Sequence, residues 1–255
     1  MSQDNGHVNL EIDGHLATIT FYHPSHNALP GHLLADLAKL ISQAGDNDQV
    51  HLILVKSGGD RTFCAGASFD ELVSIEDYPT GKEFFMGFAR VINALRSCRK
   101  ITLGRIQGKA VGGGVGICSA VDYAIATKYA SVRLSELAVG IGPFVVGPAV
   151  ERKIGLSAFS NMTLNPTEWK TAEWAKENNL FAEAFDTTEQ MDDYIQHFAE
   201  KLLSYNPEAL AHLKRVFWDG TSHWDDLLEE RAEISGNLIL SPFAKNAINK
   251  FKQKK

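Results

Sequence analysis

Short apolar runs alternate with segments of helical spacing over the first half of the chain, and this alternation is the strongest constraint on its fold. Five runs are predicted to be strands, at residues 8–12, 16–21, 50–55, 101–106 and 123–127. Between them, Leu33, Leu37 and Ile41 recur at helical spacing, as do Phe84 and Phe88. Strands that alternate with helices are typical of an α/β protein, which is the fold class that we predict.

The pattern changes after about residue 165, where helical spacing predominates and no strand is predicted. Pairs of Asn or Ser with Pro predict the beginnings of three helices, because Asn and Ser cap helices and Pro favours the first helical position. These pairs lie at residues 165–166, 206–207 and 241–242. Such helices either cover their own core or pack against another subunit, and the residues alone leave both alternatives open.

Charge and cysteine content limit the partners of such a protein. The sequence has 25 Lys and Arg against 31 Asp and Glu, a formal net charge of −6, whereas nucleic-acid binding needs a basic surface. No stretch approaches the ~20 apolar residues of a membrane span. Three cysteines without CxxC spacing and a polar N-terminus are typical of the reducing cytosol. We therefore predict a cytoplasmic protein without a nucleic-acid or membrane partner.

No metal site is predicted. Pro24 stands between His23 and His26, and these two histidines lack the spacing of paired metal ligands on a helix. Surface histidines without a metal are the common case, and the three cysteines form no zinc-binding pattern.

Two glycine-containing segments, 63–72 and 108–116, each follow a predicted strand. Small residues at a strand-to-helix turn let a ligand approach the backbone, and the first amides of the helix are unpaired. Two such turns that face each other would direct two N–H donors at one oxygen, as in an oxyanion hole. Glycines also serve tight turns and close packing, and glycine content alone favours that structural role.

The order of the two segments resembles the crotonase (enoyl-CoA hydratase/isomerase) superfamily, which typically has an F-x-A-G-A-D segment followed by N-G-x-A-x-G-G-G. The corresponding residues here are Phe63–Ala67 and Gln107–Gly114. The resemblance extends to His23–Leu29 and to Ala130–Glu136, and it covers most of the chain.

The resemblance implies an α/β fold built as a ββα spiral, with a C-terminal helical region that mediates oligomers. We expect residues 1–195 to form the spiral core with an acyl-CoA site, and residues 196–255 the helical region. The implied assembly is a homotrimer, often paired into a hexamer. The implied substrate is a coenzyme A thioester of fatty acid metabolism, and no further cofactor is expected.

The resemblance also assigns site residues. The amides of Ala67 and Gly113 correspond to the oxyanion hole, which stabilises a thioester enolate. The substrate- and CoA-binding positions correspond to Ala28, Ala65, Ala67, Ser68, Phe69 and Gly113.

One departure from the family pattern bears on the reaction. Hydratases of this family carry two glutamates, of which Glu136 is kept, whereas the other falls on Gly116. Hydration uses both carboxylates, but one carboxylate can still move a proton between two carbons. We therefore predict an enoyl-CoA isomerase with Glu136 as its catalytic residue, and we expect a glutamate at position 116 to restore hydration.

The alternatives are an enoyl-CoA hydratase (a lyase) for a short or branched substrate, and a non-catalytic acyl-CoA-binding subunit. Glu71 and Glu151 are possible replacements for the missing carboxylate, although each is more typical of a solvated or structural residue. Asp70 stands where the family commonly has Lys, so contacts to the CoA phosphates are expected from Lys56, Arg61 or a neighbouring subunit.

Overall fold

The computed structural model describes residues 5–252, in which helices surround two β-sheets. This confirms the predicted α/β class. Within that range the strands are β1 (His7–Asp13), β2 (Leu16–Tyr22), β3 (Leu52–Ser57), β4 (Thr62–Cys64), β5 (Ile101–Ile106), β6 (Lys109–Val111), β7 (Tyr123–Thr127), β8 (Ser131–Arg133), β9 (Lys170–Thr171) and β10 (Glu183–Phe185).

The α-helices of the described residues are α1 (Gly31–Asp46), α2 (Phe69–Val73), α3 (Tyr78–Ser97), α4 (Gly113–Ala120), α5 (Gly147–Leu164), α6 (Ala172–Glu177), α7 (Thr188–Leu203), α8 (Pro207–Phe217), α9 (Trp224–Ile239) and α10 (Pro242–Lys252). A short 3₁₀ helix, Glu136–Val139, lies between β8 and α5. None of these helices has the length and hydropathy of a membrane-crossing segment.

The large sheet has the order β1-β2-β3-β5-β7-β10. β1 and β2 form an antiparallel hairpin, and the pairs from β2 to β10 are all parallel. Parallel strands are covered on both faces, which explains why β3 and β5 are almost continuously buried. All five predicted strands lie in this sheet.

The small sheet has the order β4-β6-β8-β9. β4, β6 and β8 are parallel to one another, and they follow β3, β5 and β7 along the chain. The chain therefore repeats a strand of the large sheet, a strand of the small sheet and a helix, which confirms the predicted ββα spiral. Since carboxyl ends of parallel strands meet at one edge, the segments after β4, β6 and β8 converge.

Two expectations for the region after residue 165 are wrong. β9 and β10 are strands, and Asn165–Pro166 begins a turn instead of a helix. The next helix, α6, begins at Ala172, where the Thr171 side chain accepts a hydrogen bond from the Trp174 amide. Strands of two or three residues are too short to show a periodicity, and pairing with β8 and β7 stabilises them.

Two C-terminal helices, α8 and α10, begin where the sequence predicts. Asn206 caps α8, because its Oδ1 accepts a hydrogen bond from the Glu208 amide at 2.9 Å, and Pro242 begins α10. The apolar face of α7 packs on the large sheet. Residues 195 and 196 both lie within α7, and a division of the chain at that point stays a prediction.

A buried ion pair attaches α8 to the core. Lys214 Nζ lies 2.7 Å from Asp122 Oδ2, and both side chains are almost fully buried. Asp122 also accepts hydrogen bonds from Trp218 Nε1 and from the amide and hydroxyl of Thr102. Every lone pair of this carboxylate thus has a donor close by, as a buried charge requires.

Candidate active site

The segment after β4 presents the amide of Ala67. The Leu29 amide donates to the Gly66 carbonyl at 2.8 Å, and the Ser68 amide donates to the Leu29 carbonyl at 3.1 Å. These bonds pair Leu29 with Ala67 in a parallel bridge. Because successive amides of an extended chain point to opposite sides, the Ala67 N–H is directed away from Leu29.

The segment after β6 presents the amide of Gly113. Gly112 has a positive φ of 52°, and its own amide donates to the Arg133 carbonyl at 2.9 Å. Gly113 is the first residue of α4, where an amide has no partner within the helix. A β-carbon on Gly66 would lie 3.8 Å from the Gly113 nitrogen, so the two glycine segments are in contact, as the oxyanion-hole hypothesis requires.

The segment after β8 brings Glu136 to the same place. A β-carbon on Gly112 would lie 2.8 Å from Glu136 Oε1. Only glycine therefore fits at position 112, both for its φ and for the space that the carboxylate occupies. This close approach places the carboxylate beside the residue that precedes the Gly113 amide.

The carboxylate of Glu136 is buried with too few hydrogen bonds to replace those that water would make. Its Oε2 is buried and has no hydrogen-bond partner among the described residues. Burial raises the pKa of Glu136 to about 7, although the amides of Glu136 and Ser135 and the Arg133 guanidinium oppose this shift. A carboxyl group with a pKa near neutrality can both accept and return a proton.

A cavity of about 200 Å³ joins these groups. Of the predicted site residues, the following line it: Ala65, Ala67, Phe69, Gly113 and Glu136. Ser68 and Ala28, which were also predicted, do not line it. The Ser68 hydroxyl caps α2, because it accepts a hydrogen bond from the Glu71 amide at 3.3 Å. Ala28 precedes Leu29, the partner of Ala67.

Gly116 lies on α4, as predicted, but its surroundings differ from the expectation. A β-carbon there would lie 2.6 Å from Val146 Cγ1 and 3.4 Å from Ile92 Cδ1. Val146 itself lines the cavity. An apolar side chain thus fills the space into which a second carboxylate on α4 would point, and a glutamate at position 116 does not fit unless Val146 changes.

Neither possible replacement carboxylate lines the cavity. Glu71 Oε2 accepts a hydrogen bond from the Gly31 amide at 2.9 Å, at the beginning of α1, and Glu151 is exposed on α5. Glu136 is thus the only carboxylate that the described residues contribute to the cavity wall.

The aromatic residues of the cavity were not predicted as site residues. They are Phe84, Phe85, Phe88 and Phe144, besides Phe69. Phe88 packs directly on the oxyanion segment, because a β-carbon on Gly113 would overlap its ring. The sequence signal was present in the phenylalanines of α3, but an apolar stripe on a helix is more commonly a part of the core.

The cationic residues expected near CoA do not line this cavity. Lys56 lines a groove on the large sheet with Arg105 and Asp192, and neither Lys56 nor Arg61 lines the cavity beside Glu136. Which groups contact the phosphates therefore stays a prediction. Residues 5–252 bring together no group of three His, Cys, Asp or Glu side chains with the geometry of a metal site.

Two sheets wound in ββα turns, with two amides and a carboxylate at one edge of the small sheet, define a crotonase-type fold. A crystal structure of enoyl-CoA hydratase from Bacillus halodurans has the same fold, with a TM-score of 0.88 at 22% identity. That match covers 95% of this chain and 99% of the other.

The sequence identifies the family. Residues 11–254 match the sequence model described as Enoyl-CoA hydratase/isomerase. A protein named Probable enoyl-CoA hydratase, from Bacillus subtilis (strain 168), is 24% identical over 97% of this chain and 96% of its own length. The 4-chlorobenzoyl coenzyme A dehalogenase-1 of Arthrobacter sp is 30% identical over 72% of this chain and 69% of its own length. The chain therefore belongs to the enoyl-CoA hydratase/isomerase family of enzymes, as its motifs predict.

Proposed function

We propose that the protein shifts the double bond of an enoyl-CoA, with Glu136 as its single acid–base catalyst. The observation that supports this reaction is that Glu136 is the only carboxylate on the described cavity wall, with Val146 in the space opposite Gly116. An isomerase needs one group that accepts a proton at one carbon and returns it at another, whereas hydration also needs a group that holds water.

The reaction balances with the residues present. The Glu136 carboxylate removes a proton from C2 of a 3-enoyl thioester, and the electrons move onto the thioester oxygen as a dienolate. The amides of Ala67 and Gly113 donate hydrogen bonds to that oxygen. Glu136 then returns the proton to C4, which gives the 2-enoyl thioester. Its pKa of about 7 means that both the ionised and the protonated carboxyl group are accessible near neutral pH, as a group that accepts and then returns a proton requires.

Binding of the coenzyme is assigned to the edge formed by Ala28, Ala65, Ser68 and Phe69. Ala65 and Phe69 line the cavity, and Ser68 is held by the Leu29 carbonyl next to Ala67. Because two amides polarise the thioester in this scheme, the reaction needs no cofactor beyond the CoA thioester itself.

The second candidate function is hydration, and the names of two relatives favour it. One is the Bacillus subtilis protein described above, and the other is the Short-chain-enoyl-CoA hydratase of Clostridium acetobutylicum, 25% identical over 97% of this chain. In this case Glu136 alone would have to activate water and deliver the proton.

One panel of substrates separates the functions. Matched 2-enoyl-CoA and 3-enoyl-CoA thioesters are incubated with the protein, and isomerisation and hydration are followed separately. The proposal requires conversion of the 3-enoyl to the 2-enoyl compound, with little 3-hydroxyacyl-CoA. Rapid hydration would establish the lyase instead. Tight binding without either reaction would indicate a non-catalytic acyl-CoA-binding subunit.

For the assembly, we propose a homotrimer or hexamer formed through the C-terminal helices. α8 supports this, because three apolar side chains of this helix, Leu213, Val216 and Phe217, are exposed. We also propose that residues 1–195 carry the acyl-CoA site and that residues 196–255 carry the oligomer contacts. Sedimentation of the protein at several concentrations tests the assembly.

A cytoplasmic location is proposed from the cysteines. Cys64, Cys98 and Cys118 are all free and buried, which fits a reducing compartment. The net charge of −6 gives no support to a nucleic-acid partner.

A further inference from the structure

We infer that the cavity beside Glu136 selects acyl-CoA substrates with a short, uncharged acyl chain, and that Phe84 sets the length limit. This inference rests on the proposed acyl-CoA site and adds the class of acyl group. It does not depend on whether the bound thioester is isomerised or hydrated.

The chemistry of the wall excludes a charged chain. Only three of the described lining side chains are polar, Ser135, Glu136 and Ser235, and none is cationic. The hydroxyl of Ser235 donates a hydrogen bond to the Arg231 carbonyl at 3.0 Å. This hydroxyl is therefore not available as a donor to a ligand. A carboxylate at the end of the acyl chain would therefore lose its water without meeting a cationic partner in the described wall, which is strongly unfavourable.

The volume limits the chain length. The cavity has about 200 Å³. An apolar protein cavity of about 150 Å³ holds benzene, which has about six carbons. By the same ratio the cavity accommodates an acyl group of about eight carbons, including the thioester carbonyl.

Two phenylalanines of α3 lie one after the other along the wall of this cavity. Phe88 packs at Gly113, where the thioester carbonyl binds. Phe84 lies one turn earlier on the same helix, and at a rise of 1.5 Å per residue its Cα is about 6 Å from that of Phe88. Phe84 packs edge-to-face on Phe85, with ring centroids 5.1 Å apart. Carbons near the thioester therefore contact Phe88, and the distal carbons contact Phe84.

Apolar side chains from neighbouring helices pack against Phe84. Phe84 belongs to an apolar cluster whose buried members are Ile75, Ile141, Ile239, Ala244 and Ile248. The last three come from the end of α9 and from α10. A longer chain would have to displace these helices, and a well-packed interior resists such a shift.

Binding of saturated acyl-CoAs tests this inference without turnover. We expect affinity, measured by calorimetry, to rise about four-fold per methylene, the fold-change of one buried methylene, from butanoyl- to octanoyl-CoA, and then to stop rising for decanoyl- and dodecanoyl-CoA. Adipoyl-CoA, whose chain ends in a carboxylate, is expected to bind at least about 100-fold more weakly than hexanoyl-CoA.

The variant Phe84→Ala is expected to raise the chain-length limit. Dodecanoyl-CoA should bind to this variant at least about ten-fold more tightly than it binds to the wild type. Phe84→Leu makes a smaller change in the same direction and replaces it if the alanine variant does not fold. Tyr205→Ala is the control, because Tyr205 is exposed in the connection between α7 and α8 and does not line the cavity.

Each outcome bears on a separate claim. Affinity that keeps rising to dodecanoyl-CoA in the wild type, or equal binding of adipoyl- and hexanoyl-CoA, overturns the inference. An unchanged limit in both Phe84 variants overturns the role of Phe84. The predicted binding profile in a protein that does not isomerise 3-enoyl-CoA contradicts only the proposed reaction, whereas failure to bind any acyl-CoA contradicts both.

Discussion

Val146 lies directly against Gly116, so that a β-carbon on Gly116 would stand 2.6 Å from Val146 Cγ1. The two residues lie on different elements, Gly116 within α4 and Val146 just before α5. Their contact determines what the wall of the cavity presents to a substrate. At this position the substrate meets an apolar side chain where a second acid–base group would otherwise stand.

This contact predicts that a new carboxylate on α4 works only when Val146 is shortened. We expect Gly116→Glu alone to destabilise the protein by at least about 1–3 kcal/mol, the usual cost of overpacking, and to add no hydration. Gly116→Glu with Val146→Ala has space for the side chain and is expected to gain hydration of a 2-enoyl-CoA. The assay is loss of the conjugated thioester absorbance, with the hydroxyacyl product identified by mass.

Val146→Ala alone is the matched control for that pair. Hydration at the rate of the double variant in this control would show that added space, not the new carboxylate, admits water. Hydration by the folded single variant Gly116→Glu would contradict the contact on which the prediction rests.

Glu136→Gln tests the proposed acid–base group. The amide keeps the size of the side chain but cannot exchange the proton, so we expect kcat to fall by about 10²–10⁴ and acyl-CoA affinity to change little. In the wild type, kcat/KM should fall about ten-fold per pH unit below the Glu136 pKa of about 7, because the base must be ionised. Full turnover by the variant would remove Glu136 from the mechanism.

The same pKa predicts a pH dependence of folding. The pKa of Glu136 is about 7 in the folded protein, against 4.5 for an ordinary glutamate, so the native state holds this proton more tightly than the unfolded chain. The stability that the proton contributes is complete below pH 4.5 and is lost as the pH rises through 7. Glu136→Gln avoids that loss. In urea unfolding, the free energy of unfolding of Glu136→Gln relative to that of the wild type should therefore rise by about 3 kcal/mol from pH 4.5 to pH 7.

A test of the Gly113 amide as a hydrogen-bond donor requires a change in the backbone itself. Proline would delete its N–H, but any β-carbon at Gly113 overlaps the Phe88 ring. Replacing Gly113 by glycolic acid exchanges the amide for an ester and adds no atom on that side. We expect kcat to fall by about 10²–10³, the effect of one lost oxyanion donor, with a smaller change in the dissociation constant. Unchanged kcat would place the donor elsewhere.

Asn27 is predicted to hold the loops that support Ala67. It is buried with a φ of 56°, and its side chain accepts from the His23 amide and donates to the Gly58 and Thr62 carbonyls. Asn27→Gly keeps the backbone conformation but loses these bonds, so we expect a loss of about 2–4 kcal/mol in the free energy of unfolding. Asn179→Gly is the control, because exposed Asn179 has a φ of 64° and should change by less than about 0.5 kcal/mol.

The sequence was sufficient to predict those structural features that depend on residues close together in the chain. Strands such as 101–106 and the cap at Asn206 depend on local pattern, and the glycine segments around Ala67 and Gly113 carry the family motif in a few consecutive residues. The structure places the two segments against each other and brings Glu136 to Gly112. The family resemblance was needed to predict that these loops meet, because glycine content alone favours a structural role.

The features that were missed depend on contacts between distant parts of the chain. The role of Val146 follows from the packing of residues before α5 against α4, about 30 positions earlier, and no local pattern records it. Phe84 and Phe88 have the spacing of ordinary core residues, and only their position on the cavity wall distinguishes them. β9 and β10 exist because neighbouring strands pair with them.

The most direct test of the account follows a short 3-enoyl-CoA through one reaction in ¹⁸O-labelled water. If Glu136 alone moves a proton from C2 to C4, 2-enoyl-CoA accumulates to equilibrium, no ¹⁸O enters the acyl chain, and Glu136→Gln abolishes the conversion. Appearance of ¹⁸O-labelled 3-hydroxyacyl-CoA at a rate similar to that of isomerisation would contradict the single-carboxylate isomerase and establish a hydratase.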